Sequence, residues 1–309
     1  MINFQKIIMK KTLIVHPKFA ELWKQISEQR DMNFPQVNFE IFPDSWPNLF
    51  IDEVKQSIEH HDVTYIWDFS KPEDMFINYA MMRGILDYYA GKLRVIMPYF
   101  PVGTMERISE KWEIATAKYF ADIMSHLPQG RQWKTSIHTF DIHALVERFL
   151  FDSFKVNLET HTAMNLLDEV AKDKIIVFPD EGAQKRFWYD FPDNEIIILS
   201  KTRKDWERIM TLKQGNPEWK KLLLVDDLIQ SWGTLIRATE FLKDLWAKSV
   251  DAFATHWVFP ADSYKKLSLS VDNLYVTDSI PENISRAKEI DNMKILSLQA
   301  DIEKLIFAE

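Results

Sequence analysis

The chain has 309 residues, 38 of them Lys or Arg and 46 Asp or Glu, for a formal net charge of −8; this balance opposes a protein that grips nucleic acid by its phosphates. It has no cysteine, which excludes disulfides, thiolate nucleophiles, iron–sulfur clusters and cysteine-ligated zinc and makes the cytosol the expected compartment. No apolar run approaches the roughly 20 residues that span a bilayer, and the first residues, with Lys6, Lys10 and Lys11 scattered through a short apolar stretch, lack a signal-peptide layout. A soluble, unprocessed, cytoplasmic protein with no nucleic-acid or membrane partner is expected.

In chain order, short runs of apolar and often β-branched residues recur at 13–15, 63–67, 95–97, 175–178, 196–199, 222–225 and 252–255. Continuous runs, rather than strict alternation, mark strands covered on both faces. Between them, 73–89, 115–127, 160–171 and 234–246 read as helices. In the last of these, Leu235, Ala238, Leu242 and Leu245 recur at helical spacing and make one apolar stripe. A closing helix is expected at 300–307. Alternation of strand and helix is the signature of an α/β fold with a mainly parallel sheet. The length suggests about two domains, and the series restarts after Val156, which places the boundary at 152/153, giving domains 1–152 and 153–309. Glycine occurs only 7 times, so Gly103, Gly130, Gly182, Gly215 and Gly233 are read as turn positions where a side chain would be in the way. The 11 Trp and 21 Phe are read mostly as core filler.

In open parallel sheets the chemistry gathers at the carboxyl ends of strands. The most informative such end is KLLLVDDLIQSWGTL. Leu222, Leu223, Leu224 and Val225 lead into Asp226 and Asp227, and a loop then passes through Ser231, Gly233 and Thr234 into a helix. Backbone N–H groups, a hydroxyl and a helix N-terminus around one point suit a phosphate dianion. The two carboxylates would repel that phosphate, so they suit sugar hydroxyls or a magnesium ion bridging the ligand. An isolated Asp-Asp would be an acidic strand end with Thr234 as an N-cap; the complete segment favours a sugar-phosphate site.

DDLIQSWGT resembles the ribose-phosphate loop of the ribose-phosphate pyrophosphokinases, or PRPP synthetases. The resemblance extends over nearly the whole chain, through FPDSWPNLF, MPYFPVGTMER, TFDIHALVERF, VFPDEGAQKRF, SKTR, ATHWVFP and YVTDSIP, and FPVGTMER, DIHALVERF and PDEGAQKRF are most similar to the plant-type second class. It implies two phosphoribosyltransferase-like α/β domains, the first on the nucleotide-binding side and the second carrying the ribose 5-phosphate loop, with the last helix packing back on the first domain. It also implies transfer of the β,γ-diphosphoryl group of ATP to the C1 hydroxyl of ribose 5-phosphate, Mg2+ as cofactor and a homo-oligomer.

By the same resemblance, Lys201 and Arg203 match a Lys-x-Arg pair on a flexible loop that stabilises the transition state. His143 matches a histidine that contacts metal and triphosphate, Asp180 an acidic residue beside the pentose and metal, and Asp141 a group orienting His143 or the metal's waters. Asp226, Asp227, Ser231, Gly233 and Thr234 would hold ribose 5-phosphate. Phe42 and Asp44 match an adenine-contacting loop, with Ser45 and Trp46 where the family carries Gly-Glu; Phe42 as plain core is the alternative. Arg107 matches a triphosphate-contacting arginine. Thr104 stands where the phosphate-activated class has another arginine, and the plant-like resemblance implies activity without inorganic phosphate and a relaxed choice of nucleoside triphosphate.

Two departures bear on function. Trp232 stands where the family has a small residue, and Trp257 replaces a glycine. Either the two indoles reshape the sugar pocket, in contact with one another, or they face outward as surface aromatics. With Thr104, these departures make a noncatalytic regulatory relative one alternative. A phosphoribosyltransferase, which shares the Asp-Asp and Gly-Thr loop, is a weaker one, because it needs neither Phe42 and Arg107 nor the Lys-x-Arg pair.

Overall fold

A computed structural model of the chain describes residues 10–131, 133–204, 207–230, 232–258 and 263–307. The chain divides into two compact units, the first ending at His161 and the second starting at Thr162.

The first unit runs β1 (Lys11–Val15), α1 (Ala20–Gln29), β2 (Val37–Ile41), β3 (Pro47–Ile51), α2 (Val54–Ser57), β4 (Asp62–Ile66), α3 (Met75–Asp87), β5 (Lys92–Ile96), α4 (Thr116–Ser125), β6 (Thr135–Phe140) and β7 (Val156–His161). β2 and β3 form a separate antiparallel hairpin. The other five strands pair in parallel in the order β1-β4-β5-β6-β7. Side chains on a strand alternate between faces, so Ile14, Tyr65, Val95, Ile137 and Leu158 line up across one face of the sheet. They are buried in one cluster with Met81 and Ile85 of α3 and Ala121 and Met124 of α4. On the opposite face, Thr64, Arg94, Ser136 and Asn157 stand in register, a polar row unusual for a parallel sheet.

The second unit contains α5 (Asp168–Ala171), β8 (Ile175–Phe178), α6 (Glu181–Phe187), β9 (Ile196–Lys204), β10 (Glu207–Gln214), β11 (Lys221–Ile229), α7 (Trp232–Asp244), β12 (Ser249–Trp257), α8 (Ser263–Ser268), β13 (Leu274–Thr277), α9 (Glu282–Ala287), β14 (Met293–Leu296) and α10 (Gln299–Phe307). Its sheet has the order β10-β9-β8-β11-β12-β13-β14, parallel except for the antiparallel β9–β10 arm. The run 222–225 is covered on both faces, as its continuous apolarity predicts. Leu222 and Leu224 join one cluster with Leu235, Ala238 and Leu242 of α7, and Leu223 and Val225 join another with Ala183 and Phe187 of α6. α10 buries Ile302 and Ile306, and its Asp301 accepts hydrogen bonds from Asn165 of the same unit at 3.0 and 3.2 Å.

Three local readings of the sequence change. Residues 160–171 are not one helix: Thr160 and His161 extend β7, a 3-10 turn spans Met164–Leu167, and α5 is short. Pairing with β6 takes the first residues of the segment, while Ala163, Met164, Leu167 and Ala171 still bury the apolar spacing that suggested a helix. Because β7 completes the first sheet, residues 153–161 belong to the first unit. Asp226 and Asp227 lie inside β11 rather than beyond it, since pairing with β12 holds the strand to Ile229, opposite Trp257.

Candidate active site

In the second unit, β8 and β11 are parallel neighbours, so their carboxyl ends bring Asp180 close to Asp226 and Asp227. Asp180 caps α6: its side chain accepts hydrogen bonds from the backbone N–H groups of Gly182 at 3.0 Å and Ala183 at 3.1 Å. Asp226 accepts from the N–H of Asp227 at 3.0 Å. Asp227 is buried, with one carboxylate oxygen 3.5 Å from Nη1 of Arg186 on α6. Burial, then the neighbouring charges of Asp227 and Asp180, push the Asp226 carboxyl well above the usual range. Like-charged carboxylates resist joint ionisation unless a proton or a cation offsets them. Hard oxygen donors held this way fit a divalent magnesium-type ion.

Arg186 carries no local signal of its role. Its partner Asp227 is distant in sequence and arrives through the pairing of β8 with β11, so only the motif PDEGAQKRF as a block pointed toward it.

α7 starts at Trp232, directly after this carboxylate end. Thr234 therefore lies inside the helix and is not its N-cap. Gly233 also sits in the first helical turn rather than in a loop, and a Cβ added there would meet only Arg237 Nη2 at 3.6 Å, an ordinary contact. Ser231 lies outside the described residues, as do the side chains of Trp232 and Thr234. The expected contact between Trp232 and Trp257 falls outside them too.

Trp257 is not a surface aromatic and not in a turn. It ends β12, is fully buried, and packs in the cluster that holds Leu235, Tyr264 and Leu267. Its carbonyl accepts from Asn283 Nδ2 at 3.2 Å.

Lys201 and Arg203 fall in β9, their backbones opposite Met210 and Arg208 of β10. They thus sit on a strand of an antiparallel arm rather than in a loop; their side chains lie outside the described residues.

In the first unit, Phe42 and Asp44 occupy the loop joining β2 to β3. Phe42 is 47% exposed, so it is not core. Its N–H donates to Trp46 O at 2.9 Å, the Ser45 N–H donates to Phe42 O at 2.8 Å, and Asp44 accepts from Trp46 N–H at 3.1 Å. Ser45 has φ +71°, the left-handed region that glycine adopts at no steric cost, so the loop keeps the backbone turn a glycine would make. Trp46 packs edge-on against Phe76 with ring centroids 5.1 Å apart.

The MPYFPVGTMER turn and the FDIH strand end meet at Gly103. A Cβ on Gly103 would stand 3.3 Å from His143 Cβ and 3.7 Å from Glu147 Oε2, so the absence of a side chain lets the turn close onto His143. His143 is exposed, Asp141 is buried with φ +35°, and the Asp141 N–H donates to His161 O at 2.9 Å. Glu147, fully buried, was not singled out by the sequence; burial and this carboxylate push Tyr99 up to about 12. Arg107 is a surface side chain 3.5 Å from Glu106.

A family model described as "Phosphoribosyl synthetase-associated domain" matches residues 210–309. The chain is 32% identical over 308 residues to ribose-phosphate pyrophosphokinase 3, chloroplastic, of Oryza sativa subsp. japonica, covering 95% of this chain and 75% of the relative. It is 33% identical to ribose-phosphate pyrophosphokinase 4 of the same organism, covering 91% of each. In fold it matches the crystal structure of phosphoribosylpyrophosphate synthetase from Mycobacterium smegmatis with a TM-score of 0.82, 20% identity and coverage of 97% and 98% of the two chains. Two α/β units built on mainly parallel sheets, and relatives above 30% identity along most of their length, lead to one assignment: this chain belongs to the ribose-phosphate pyrophosphokinase family.

Proposed function

We propose that the protein transfers the β,γ-diphosphoryl group of ATP to the C1 hydroxyl of ribose 5-phosphate, giving PRPP and AMP. The observation that carries the reading is that Asp180, just past β8, stands close to Asp226 and Asp227 towards the end of the neighbouring strand β11, which leads into α7. In this reading Asp226 and Asp227 accept hydrogen bonds from the ribose hydroxyls. The amides of the first turn of α7, with Ser231, Gly233 and Thr234, take the 5-phosphate, where helix N–H groups favour negative charge. Arg186, 3.5 Å from Asp227, pairs with that carboxylate and aims it.

The C1 oxygen attacks the β-phosphorus, the bond from that phosphorus to the oxygen bridging it to the α-phosphate breaks, AMP leaves, and the hydroxyl proton is released. Lys201 and Arg203 neutralise charge on the transferred group, and such positioned cations do most of the work in phosphoryl transfer. Phe42 stacks on adenine, Asp44 accepts from the base, and Arg107 and His143 contact the triphosphate. Mg2+, with Asp180 and His143 as its candidate ligands, would screen the phosphate charge. A homo-oligomer, a cytoplasmic location, independence from inorganic phosphate and a relaxed choice of nucleoside triphosphate belong to the same reading. Among the described residues, no helix is long and apolar enough to cross a membrane. Of Trp232, Trp257 and Thr104, the three features behind the noncatalytic alternative, Trp257 is accounted for as core packing.

The test is AMP release from ATP and ribose 5-phosphate with Mg2+. Lys201→Ala and Arg203→Ala should each lower kcat by about 10³-fold, the scale of cationic transition-state groups in such reactions, with ribose 5-phosphate affinity retained. No AMP release by the unmodified chain overturns the proposal.

A further inference from the structure

β6 and β7 share one face at the edge of the first sheet. Their register sets Ser136 beside Asn157, His138 beside Glu159 and Phe140 beside His161, and residues two apart on a strand project to the same side. Two imidazoles and a carboxylate are thereby gathered by the strand ladder itself. Nδ1 of His138 lies 3.0 Å from Nε2 of His161 and 3.6 Å from Oε2 of Glu159, and one ligand atom from each residue falls within 4.8 Å of the other two. A tetrahedral zinc ion with arms of roughly 2.0–2.1 Å separates adjacent ligand atoms by about 3.3 Å. The two separations from His138 Nδ1, 3.0 and 3.6 Å, bracket that value.

The groups behind these atoms are already placed as supports. Nε2 of His138, the ring nitrogen turned away from His161, lies 3.1 Å from Ser136 Oγ. With that nitrogen donating its proton to Ser136, the Nδ1 lone pair faces the cluster, which is how metal-bound histidines are held in one tautomer. Asn157 Nδ2 donates to Oε1 of Glu159 at 2.8 Å, so Asn157 and His138 engage different oxygens of the carboxylate. The two imidazole planes are 11° from parallel, with centroids 5.3 Å apart. Of the two nearby cations, Arg94 and Lys92, Arg94 has Asp62 at 3.7 Å. Burial first, then His161, Arg94 and Lys92, lowers His138 to about 3. The Glu159 side chain is 44% exposed and β7 is the last strand of its sheet, which leaves an entry path.

The geometry points to a zinc-class divalent transition-metal site formed by His138 Nδ1, His161 Nε2 and Glu159 Oε2, with water as a fourth ligand. Nitrogen-rich ligation selects such ions over magnesium. The site is built wholly from residues of the first unit and does not depend on the proposed reaction. Its consequence is mechanical. The His161 carbonyl accepts the Asp141 N–H at 2.9 Å, so a metal fixing His161 also braces the strand end that carries His143.

The test uses the untagged, chelator-treated full chain, titrated with ZnCl2 and with CoCl2 in excess MgCl2. One equivalent of Co2+ should bind with visible d–d absorption and be displaced by Zn2+. Glu159→Gln and His161→Asn should each weaken Zn2+ affinity at least tenfold, whereas His126→Asn, on an exposed histidine elsewhere, leaves it unchanged. In the unmodified chain, ring-nitrogen NMR shifts of His138 and His161 should move on Zn2+ addition. This readout decides the matter even if a variant fails to fold. Unmoved His138 and His161 rings, or Zn2+ affinity equal in all variants, overturns the site.

Discussion

Replacing Trp257 with alanine separates its two possible roles, core filler and pocket wall. The indole has no exposed surface and sits in the cluster joining β11, β12, α7 and α8. A buried aromatic side chain removes about 150–250 Å² from water, which at ~25 cal/mol per Å² corresponds to about 4–6 kcal/mol of transfer free energy. Measured Phe and Trp truncations in cores cost about 3–5 kcal/mol. We therefore expect Trp257→Ala to lose about 3–5 kcal/mol and to lower the melting temperature of the second unit by roughly 6–20 °C. Trp257→Phe, which keeps most of the volume, should lose less than half as much. Urea unfolding followed by far-UV circular dichroism, with hydrogen exchange read in β12, supplies the measurement; ribose 5-phosphate titration of the same variants supplies the functional arm. A loss below about 1 kcal/mol, a small surface-type effect, together with tighter sugar-phosphate binding, would show that the indole occupies the pocket and refute the core reading.

Gly103→Ala forces a few tenths of an ångström of movement against His143 Cβ, 3.3 Å away from the new methyl. It should lower kcat/KM for AMP release by about tenfold, since small misplacements near reacting groups are costly; unchanged steady-state kinetics would show that the contact between this turn and His143 does not matter. Asp278 is pushed above the usual carboxylate range by burial, against the opposing hydrogen bonds from Leu298 N–H at 2.9 Å and Ser297 Oγ at 2.6 Å. A raised folded-state value means that the folded chain binds the extra proton, so this group's contribution to stability falls as pH rises from about 4 through the elevated value. Asp278→Asn should flatten that part of the urea-midpoint profile, and an identical slope in the variant would remove Asp278 as its source.

What the sequence made legible was the chemistry that lies within single segments. The four-residue run 222–225, the Asp-Asp pair and most of the helix stripe can be read from neighbours along the chain: Leu235, Ala238 and Leu242 are buried as expected, while Leu245 falls just past α7 and is half-buried. Features created by pairing were not legible. β11 continues through two aspartates because β12 supplies partners as far as Trp257, and no local propensity announces that. The burial of Trp257 depends on α7 and α8 closing over it. Arg186 meets Asp227 only after β8 and β11 align, and His138, Glu159 and His161 meet only through the register of β6 and β7. Phe42 is exposed in the loop of a hairpin whose strands pair only with each other. Ser45 stands where the family carries glycine, and its positive φ preserves the turn despite the changed residue.

The position of β7 limits how this polypeptide can be divided. A fragment cut where the sequence pattern restarts would strip β6 of its neighbour and leave a bare edge of amides and carbonyls, the kind of surface that recruits foreign strands. The natural seam lies after His161, so the first unit can be excised, permuted or fused without fraying only if the cut falls beyond its outermost strand.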